Sequence, residues 1–421
     1  MEQSCGLDFG TTNSAIGVID NGVPVLVTLE DGKKGIPSAI FFDTDDGKQY
    51  FGEQAISRYL EGYSGRIMWS PKNALGSSLI NEKTLVGNRK ITFREIIGQI
   101  LNNVKTVAEK NTGKQLKNIV AGRPVHFNDD DPAIDKLSQD TLRQILLSIG
   151  FKNIEFEYEP IAAAIAYEQQ ITRDEIAMIV DIGGGTSDFT VIKLSPNSVK
   201  KTDRREDILS VGGVHVAGTD FDRQLSIDAV MPELGLNSRH KSMEGKWLTV
   251  PSHLFLDLAT WHKINFLYVP KVMEFARQIA YSSDQPDKMA LYMQILENRL
   301  GHYLAKLVEK GKIALSDEET SSIEINQIDP PKRVNISRER FNNSIQILLI
   351  KIESSMIDVV IDSQLNTDKI DSVFFTGGGT FMPEIRARVA SLLPKSRVID
   401  GDKFGSVASG LTLKAKNIFG G

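Results

Sequence analysis

Cysteine is nearly missing from this 421-residue chain, with Cys5 the single example. No intramolecular disulfide can form, and one cysteine fits a reducing compartment. Histidine is scarce, at six, and no His-Glu-x-x-His or paired Cys/His spacing offers a structural zinc site. No apolar run approaches the ~18 residues of a membrane span. The longest, such as 345–352, are broken by polar residues. The first six residues have neither a basic nor an apolar region, so no signal peptide is expected. These absences predict a cytoplasmic protein with no membrane partner. Charge of one sign is lacking too: 49 Lys and Arg face 54 Asp and Glu, for a net −5. That leaves no electrostatic case for nucleic acid as a partner.

What is present is ordinary for a globular chain, with 41% hydrophobic and 24% charged residues. The length suggests two to four domains or sub-domains. An approximate internal repeat is the most informative feature. Gly6-Leu7-Asp8-Phe9-Gly10-Thr11-Thr12-Asn13-Ser14 leads into an expected strand at 15–19, an Asn21-Gly22 turn and a strand at 23–27. Asn-Gly between two such runs is a hairpin signal, because both residues tolerate positive φ. The plan returns at 176–180 as a strand, 181–188 as a loop, 189–194 as a strand and 195–198 as a turn. Asp8 and Asp181 lie 173 positions apart, too far for a solenoid and suited to two similar lobes.

Helical spacing marks 93–108 and 138–149, the latter stopped by Gly150, and an apolar stripe over 345–360 that reads as core. A buried strand at 373–376 enters Gly377-Gly378-Gly379-Thr380, and Pro383 opens a helix. Residues 223–308 hold Trp247 and Trp261 and read as mostly helical. Strands mixed with helices predict an α/β protein.

Three glycine-rich loops, 8–14, 181–188 and 376–380, each follow an apolar strand. Such loops offer backbone N–H groups to phosphate, since no Cβ blocks the approach. Mg2+ needs few protein carboxylates at a polyphosphate, and Asp8 and Asp181 could supply them. Thr11, Thr12 and Thr186 could add hydroxyls. The plain alternative is three tight turns with the aspartates as local caps. No Walker A loop is present, and Gly183-Gly184-Gly185 leads into a strand, unlike a dinucleotide fingerprint. Asp129-Asp130-Asp131 reads first as a solvated turn, and Cys5 as a small buried hydrophobe.

The segments 6–14 and 181–188 resemble the two phosphate motifs of DnaK-type 70-kDa heat-shock chaperones. Glu159-Pro160-Ile161-Ala162-Ala163-Ala164-Ile165-Ala166-Tyr167 resembles that family's segment between the lobes. Gly218-Thr219-Asp220-Phe221-Asp222, Gly377-Gly378-Gly379-Thr380 and Val407-Ala408-Ser409-Gly410 resemble further family elements, so the likeness covers essentially the whole chain. It implies an actin-like ATPase (ribonuclease H-like) fold of two lobes, each with a mixed sheet, and a nucleotide in the cleft. Lobe I would be 1–172 plus 401–421, with a sub-domain at about 35–112. Lobe II would be 173–400, with an enlarged, mostly helical sub-domain at about 223–325.

The resemblance also implies roles. Lys72, Glu159, Asp181 and Thr186 would be catalytic. Gly10, Thr11, Thr12, Asn13, Gly183, Gly184, Gly185 and Thr186 would hold phosphate. Asp8, Asp181 and Asp188 would serve the metal. Gly218, Glu309, Lys312, Ser316, Gly377, Gly378, Gly379 and Phe381 would hold the nucleoside. ATP or ADP and Mg2+ are the implied cofactors, with K+ as an optional addition. The bland readings are a solvated Lys72, Glu159 as a helix cap, and an exposed charged face at 309–316. The family usually has arginine where this chain has Ile313 and Phe381, and aspartate where it has Phe404, which puts adenine selectivity in question. The chain matches only the nucleotide-binding part, with no peptide-binding domain, and resembles the short YegD-type branch. The expected function is a chaperone-like, Mg2+-dependent ATP-binding protein with slow ATPase activity. The competing expectation is a nucleotide-stabilised module that binds a protein partner through the insertion at about 225–300. An actin-like filament and a sugar kinase rank lower.

Overall fold

A computed structural model describes residues 2–87, 89–127, 131–198, 201, 203–401 and 405–420. Two sheets organise the first compact unit, which comprises Met1–His215, Glu353–Thr380 and Arg388–Gly421. The first sheet contains β1 (Glu2–Phe9), β2 (Asn13–Asp20), β3 (Val23–Leu26), β4 (Gln115–Arg123) and β5 (Asn153–Tyr158). Its order is β5-β4-β1-β2-β3, and the short strand Gly35–Pro37 adds to β2. The second contains β6 (Glu175–Ile182), β7 (Ser187–Leu194), β8 (Ile208–Val214), β9 (Ser372–Thr376) and β10 (Arg397–Asp400), in the order β8-β7-β6-β9-β10.

The two sheets share one topology. In each, the first three strands run antiparallel as a meander, and the last two join the first strand in parallel. The internal repeat in the sequence is thus a repeat of connectivity. The Asn21-Gly22 turn joins β2 and β3 with both φ values positive, at 48° and 83°.

Helices fill the spaces beside these sheets. Helix α1 (Phe93–Thr112) outruns its expected end by a turn. Thr92 and Glu95 form a reciprocal capping box at its start. Helix α2 (Pro132–Ser148) begins earlier than its apolar spacing suggests, because Asp131 caps it by accepting from Ala133 and Ile134 N–H. Gly150 beyond it has φ +91°. Asp129 and Asp130, like Phe404, lie outside the described residues. Cys5 is fully buried, and burial pushes its thiol pKa up.

Helix α3 (Glu159–Glu168) and the last helix, which spans Ser406–Phe419, tie the sheets together. Ile161, Ala163, Leu411 and Ala415 share one buried cluster with Val120 of the first sheet and Ile179 and Phe374 of the second. A Cβ on Gly410 would lie 1.7 Å from the Ala162 carbonyl oxygen, so only glycine permits this helix crossing.

The second unit comprises Val216–Ile352 and Phe381–Ala387. Most of residues 223–308 are helical, with Pro270–Tyr281 and Pro286–Glu297 the longest segments before residue 301. A small hairpin pairs Arg239–Lys241 with Trp247–Thr249. Helix α4 (Gly301–Asp317) follows, and then the hairpin Thr320–Ile325 with Lys332–Ser337. Helix α5 (Gln346–Asp362) starts in this unit and ends in the first; it buries Leu349, Ile352, Met356, Val359 and Val360 along one side, with Ile345 buried just before it, as the 345–360 stripe predicts. No helix among the described residues is long and apolar enough to cross a membrane.

Candidate nucleotide site

Two equivalent hairpins build the core of the site in the first unit. Between β1 and β2 only Gly10–Thr12 lie off the strands, and between β6 and β7 only Gly183–Thr186 do. The expected loops at 8–14 and 181–188 are therefore too long. Asp8, Asp181 and Asp188 sit inside strands, and Asp181 and Asp188 are cross-strand partners. Sequence reasoning missed this because aspartate is depleted in strands, and the exceptions fall where chemistry needs a fixed carboxylate.

The two turns meet. A Cβ at Gly184 would lie 2.2 Å from Thr12 Cγ2, and one at Gly185 would lie 3.7 Å from Thr11 Cγ2. The Thr186 hydroxyl donates to Asp188 Oδ2 at 2.8 Å. The third glycine loop closes on the same place. Thr376 pairs with Asp181 across β9 and β6. Gly377 follows with φ +80°, and a Cβ there would lie 2.5 Å from Asp181 Oδ1. Both the backbone conformation and the close approach require glycine.

Lys72 reaches the same cluster from a short helical turn, Pro71–Ala74. Its Nζ donates to Glu159 Oε1 at 2.8 Å, with both side chains largely buried. This rules out a solvated lysine and gives Glu159, at the first position of α3, a partner besides its own helix. Burial works against the Lys72 charge, but Glu159 and Asp8, with Asp188, outweigh it and hold its pKa above the ordinary lysine value. Burial, and then repulsion from Glu159, pushes Asp8 up to about 7. Burial also raises Asp181 well above the usual range, reinforced by Asp188, Glu159 and Asp8.

Four carboxylates thus surround one ammonium, so the cluster carries surplus negative charge that burial makes unfavourable. A divalent cation fits that surplus. Among the described residues, no three His, Cys, Asp or Glu side chains converge to enclose a metal ion. A cation here would keep water and phosphate oxygens as most of its ligands, as Mg2+ does.

The expected nucleoside residues Gly218, Glu309, Lys312 and Ser316 lie in the second unit. Gly218 starts the helix Gly218–Leu225, and its carbonyl accepts from Lys312 Nζ at 3.0 Å. Lys312 also lies 2.8 Å from Asp222, whose pKa burial raises to about 6 against the pull of Lys312. Glu309 pairs with Lys306 at 2.6 Å. Glu309, Lys312 and Ser316 are half-buried while Lys310, Ile313 and Asp317 are exposed, so the three share a face of α4. The guanidinium carbon of Arg386 lies 5.2 Å from the centre of the Phe381 ring. A positive plane therefore accompanies the aromatic ring that stands where the family has arginine. No sequence spacing pointed to Arg386 or to Asp222 as a partner of Lys312.

Known families match these same segments. The family model described as Hsp70 protein matches residues 4–83 and 292–421, about half of the chain. The chain belongs to the Hsp70 family. A model described as MreB/Mbl protein matches residues 91–227, the stretch holding Glu159 and the second hairpin. With both matches, the paired sheets form an actin-like ATPase fold. Among Hsp70-family relatives, the "Chaperone protein DnaK" of Metamycoplasma hominis is 24% identical over 418 residues, covering 96% of this chain and 58% of the relative. That of Ureaplasma urealyticum serovar 10 is 26% identical over 399 residues, covering 93% and 54%. That of Mycoplasmoides gallisepticum is 24% identical over 421 residues, covering 96% and 58%. The chain thus spans somewhat over half the length of these curated relatives.

Proposed function

We propose that this chain binds ATP with Mg2+ and hydrolyses it slowly, as a chaperone-like protein of the YegD-type branch. The supporting observation is the buried Lys72–Glu159 pair beside Asp8 and Asp181, where three glycine loops meet. The backbone N–H groups of Gly10–Asn13 and Gly183–Thr186 receive phosphate oxygens, and the Thr11 and Thr12 hydroxyls add donors. Lys72 offsets charge that develops on the transferred γ-phosphoryl. Glu159 orients the attacking water and shares Lys72 with the phosphate. That competition favours slow turnover. Thr186, held by Asp188, keeps the second turn in register. The cation, when bound, supplies neutralising charge and alignment of the phosphates. Asp8 and Asp181 would hold the cation, and Asp188 would add a carboxylate nearby. Gly218, Glu309, Lys312, Ser316, Gly377–Gly379 and Phe381 take the nucleoside in this reading.

The lobe division at 1–172 with 401–421 and at 173–400 belongs to the same proposal. Losing the γ-phosphate would free Gly10–Thr12 from Gly183–Thr186, a nucleotide-biased two-state opening. Single-turnover hydrolysis of γ-labelled ATP, with Mg2+ and with or without K+, tests it beside Lys72→Ala. Slow phosphate release that is lost in the variant supports the proposal, and failure to bind ATP sinks it.

Binding without hydrolysis would select the second reading, a nucleotide-stabilised module that docks a protein partner. The exposed Met243, Trp247, Phe266 and Tyr281 of the 225–300 segment favour that alternative.

A further inference from the structure

Helix α5 carries a second apolar row, which no described residue covers. Ile347, Ile350, Ile357 and Ile361 are 72%, 57%, 37% and 65% exposed, and Ser354 between them is exposed as well. At about 100° per residue, the five positions fall within about 80° of arc, opposite the buried side of the helix. They extend over about 21 Å of its length. Single exposed hydrophobics are ordinary, but an aligned row of four isoleucines is not. The spacing is three, four, three, four, which is the seam of a coiled coil.

We propose that α5 pairs with α5 of a second copy of this chain, antiparallel, about a two-fold axis at Ser354. Ile347 and Ile361 lie seven residues either side of Ser354, while Ile350 lies four before it and Ile357 three after it. Antiparallel pairing about Ser354 therefore sets Ile347 against Ile361 of the second copy and brings Ile350 within one residue, about 1.5 Å, of its Ile357. Ser354 meets its own counterpart, and its small side chain lets the helices approach closely. Lys351 and Asp358 flank the row on one side, and neither has a carboxylate or cation partner among the described residues. In the antiparallel pair each lies beside the other's counterpart, so two complementary contacts form at once. A parallel pair would set Asp358 against Glu353 of the second copy, two like charges. To within one residue the row is thus its own complement in position and in charge, as a two-fold interface requires. One helix row falls near the lower end of the ~1,000 Å² that a stable interface needs, so the dimer is weak and concentration-dependent.

Sedimentation equilibrium of the full chain across micromolar concentrations tests this. The wild type should show a monomer–dimer equilibrium. The double variant Ile350→Lys with Ile357→Lys should weaken it by more than about tenfold, with ATP binding kept as the check on folding. Lys351→Asp alone should weaken it, and Lys351→Asp with Asp358→Lys should restore it, which a misfolded variant could not do. Ser354→Cys should yield a disulfide-linked dimer under mild oxidation by diamide. A monomer at every concentration overturns the proposal and leaves the row to another occupant. A dimer that survives the lysine pair, or a reversal that is not rescued, overturns it too.

Discussion

At Lys72, burial and charge pull in opposite directions, and the surrounding carboxylates win. Lys72→Ala should lower single-turnover hydrolysis by about 100-fold or more while leaving far-UV circular dichroism unchanged. Lys72→Arg should fail to restore the rate, because a planar fork does not replace a compact ammonium. Asp8 gives a pH signature. Folded, it keeps its proton up to about pH 7; unfolded, it releases it near the ordinary aspartate value of 3.8. Between those values the folded state binds more protons, so the Asp8 contribution to stability falls as pH rises. Urea midpoints of the nucleotide-free protein should drop across that window, and Asp8→Asn should flatten the slope. The residue types at the phosphate turns were legible in the sequence because glycine and threonine there have few other uses. The Lys72–Glu159 bond was not, since 87 positions separate its partners and only the tertiary fold brings them together.

Elements place those residues through close approaches. Helix α3 holds Glu159 at its first turn and is fixed by the last helix at Gly410. Gly410→Ala should lower the stability by about 2–4 kcal/mol, because the added methyl meets a backbone carbonyl that cannot yield. Hydrolysis should fall with it if α3 shifts, and the thermal midpoint beside the rate would show this. Strands and helices were legible wherever apolar spacing ran uninterrupted, as at 93–108 and 345–360. Their ends were not. Helix α1 gains a turn at its end, and the strands of both hairpins extend to include aspartates that their propensity disfavours.

For the whole molecule, the repeat is the most telling feature. Two copies of one connectivity bring Asp8 and Asp181 to matching strand ends, and the similarity of the two loops in the sequence announced it. A ligand that joins the two hairpins should stabilise the first unit by mass action. ATP with Mg2+ should therefore raise the thermal midpoint, and chelating the Mg2+ or Asp181→Asn should abolish most of the rise. The sequence could not show that the last helix lies on the first strand, because more than 400 positions separate them. Ser4 donates its hydroxyl to the Gly420 carbonyl at 2.9 Å, and Lys416 donates to the Gly22 carbonyl. During synthesis, the strands of the first sheet are all complete once Tyr158 is made, yet the face that the last helix covers must wait for residues 406–419. Until then one face of a finished sheet stands uncovered, the kind of transient apolar surface that invites aggregation.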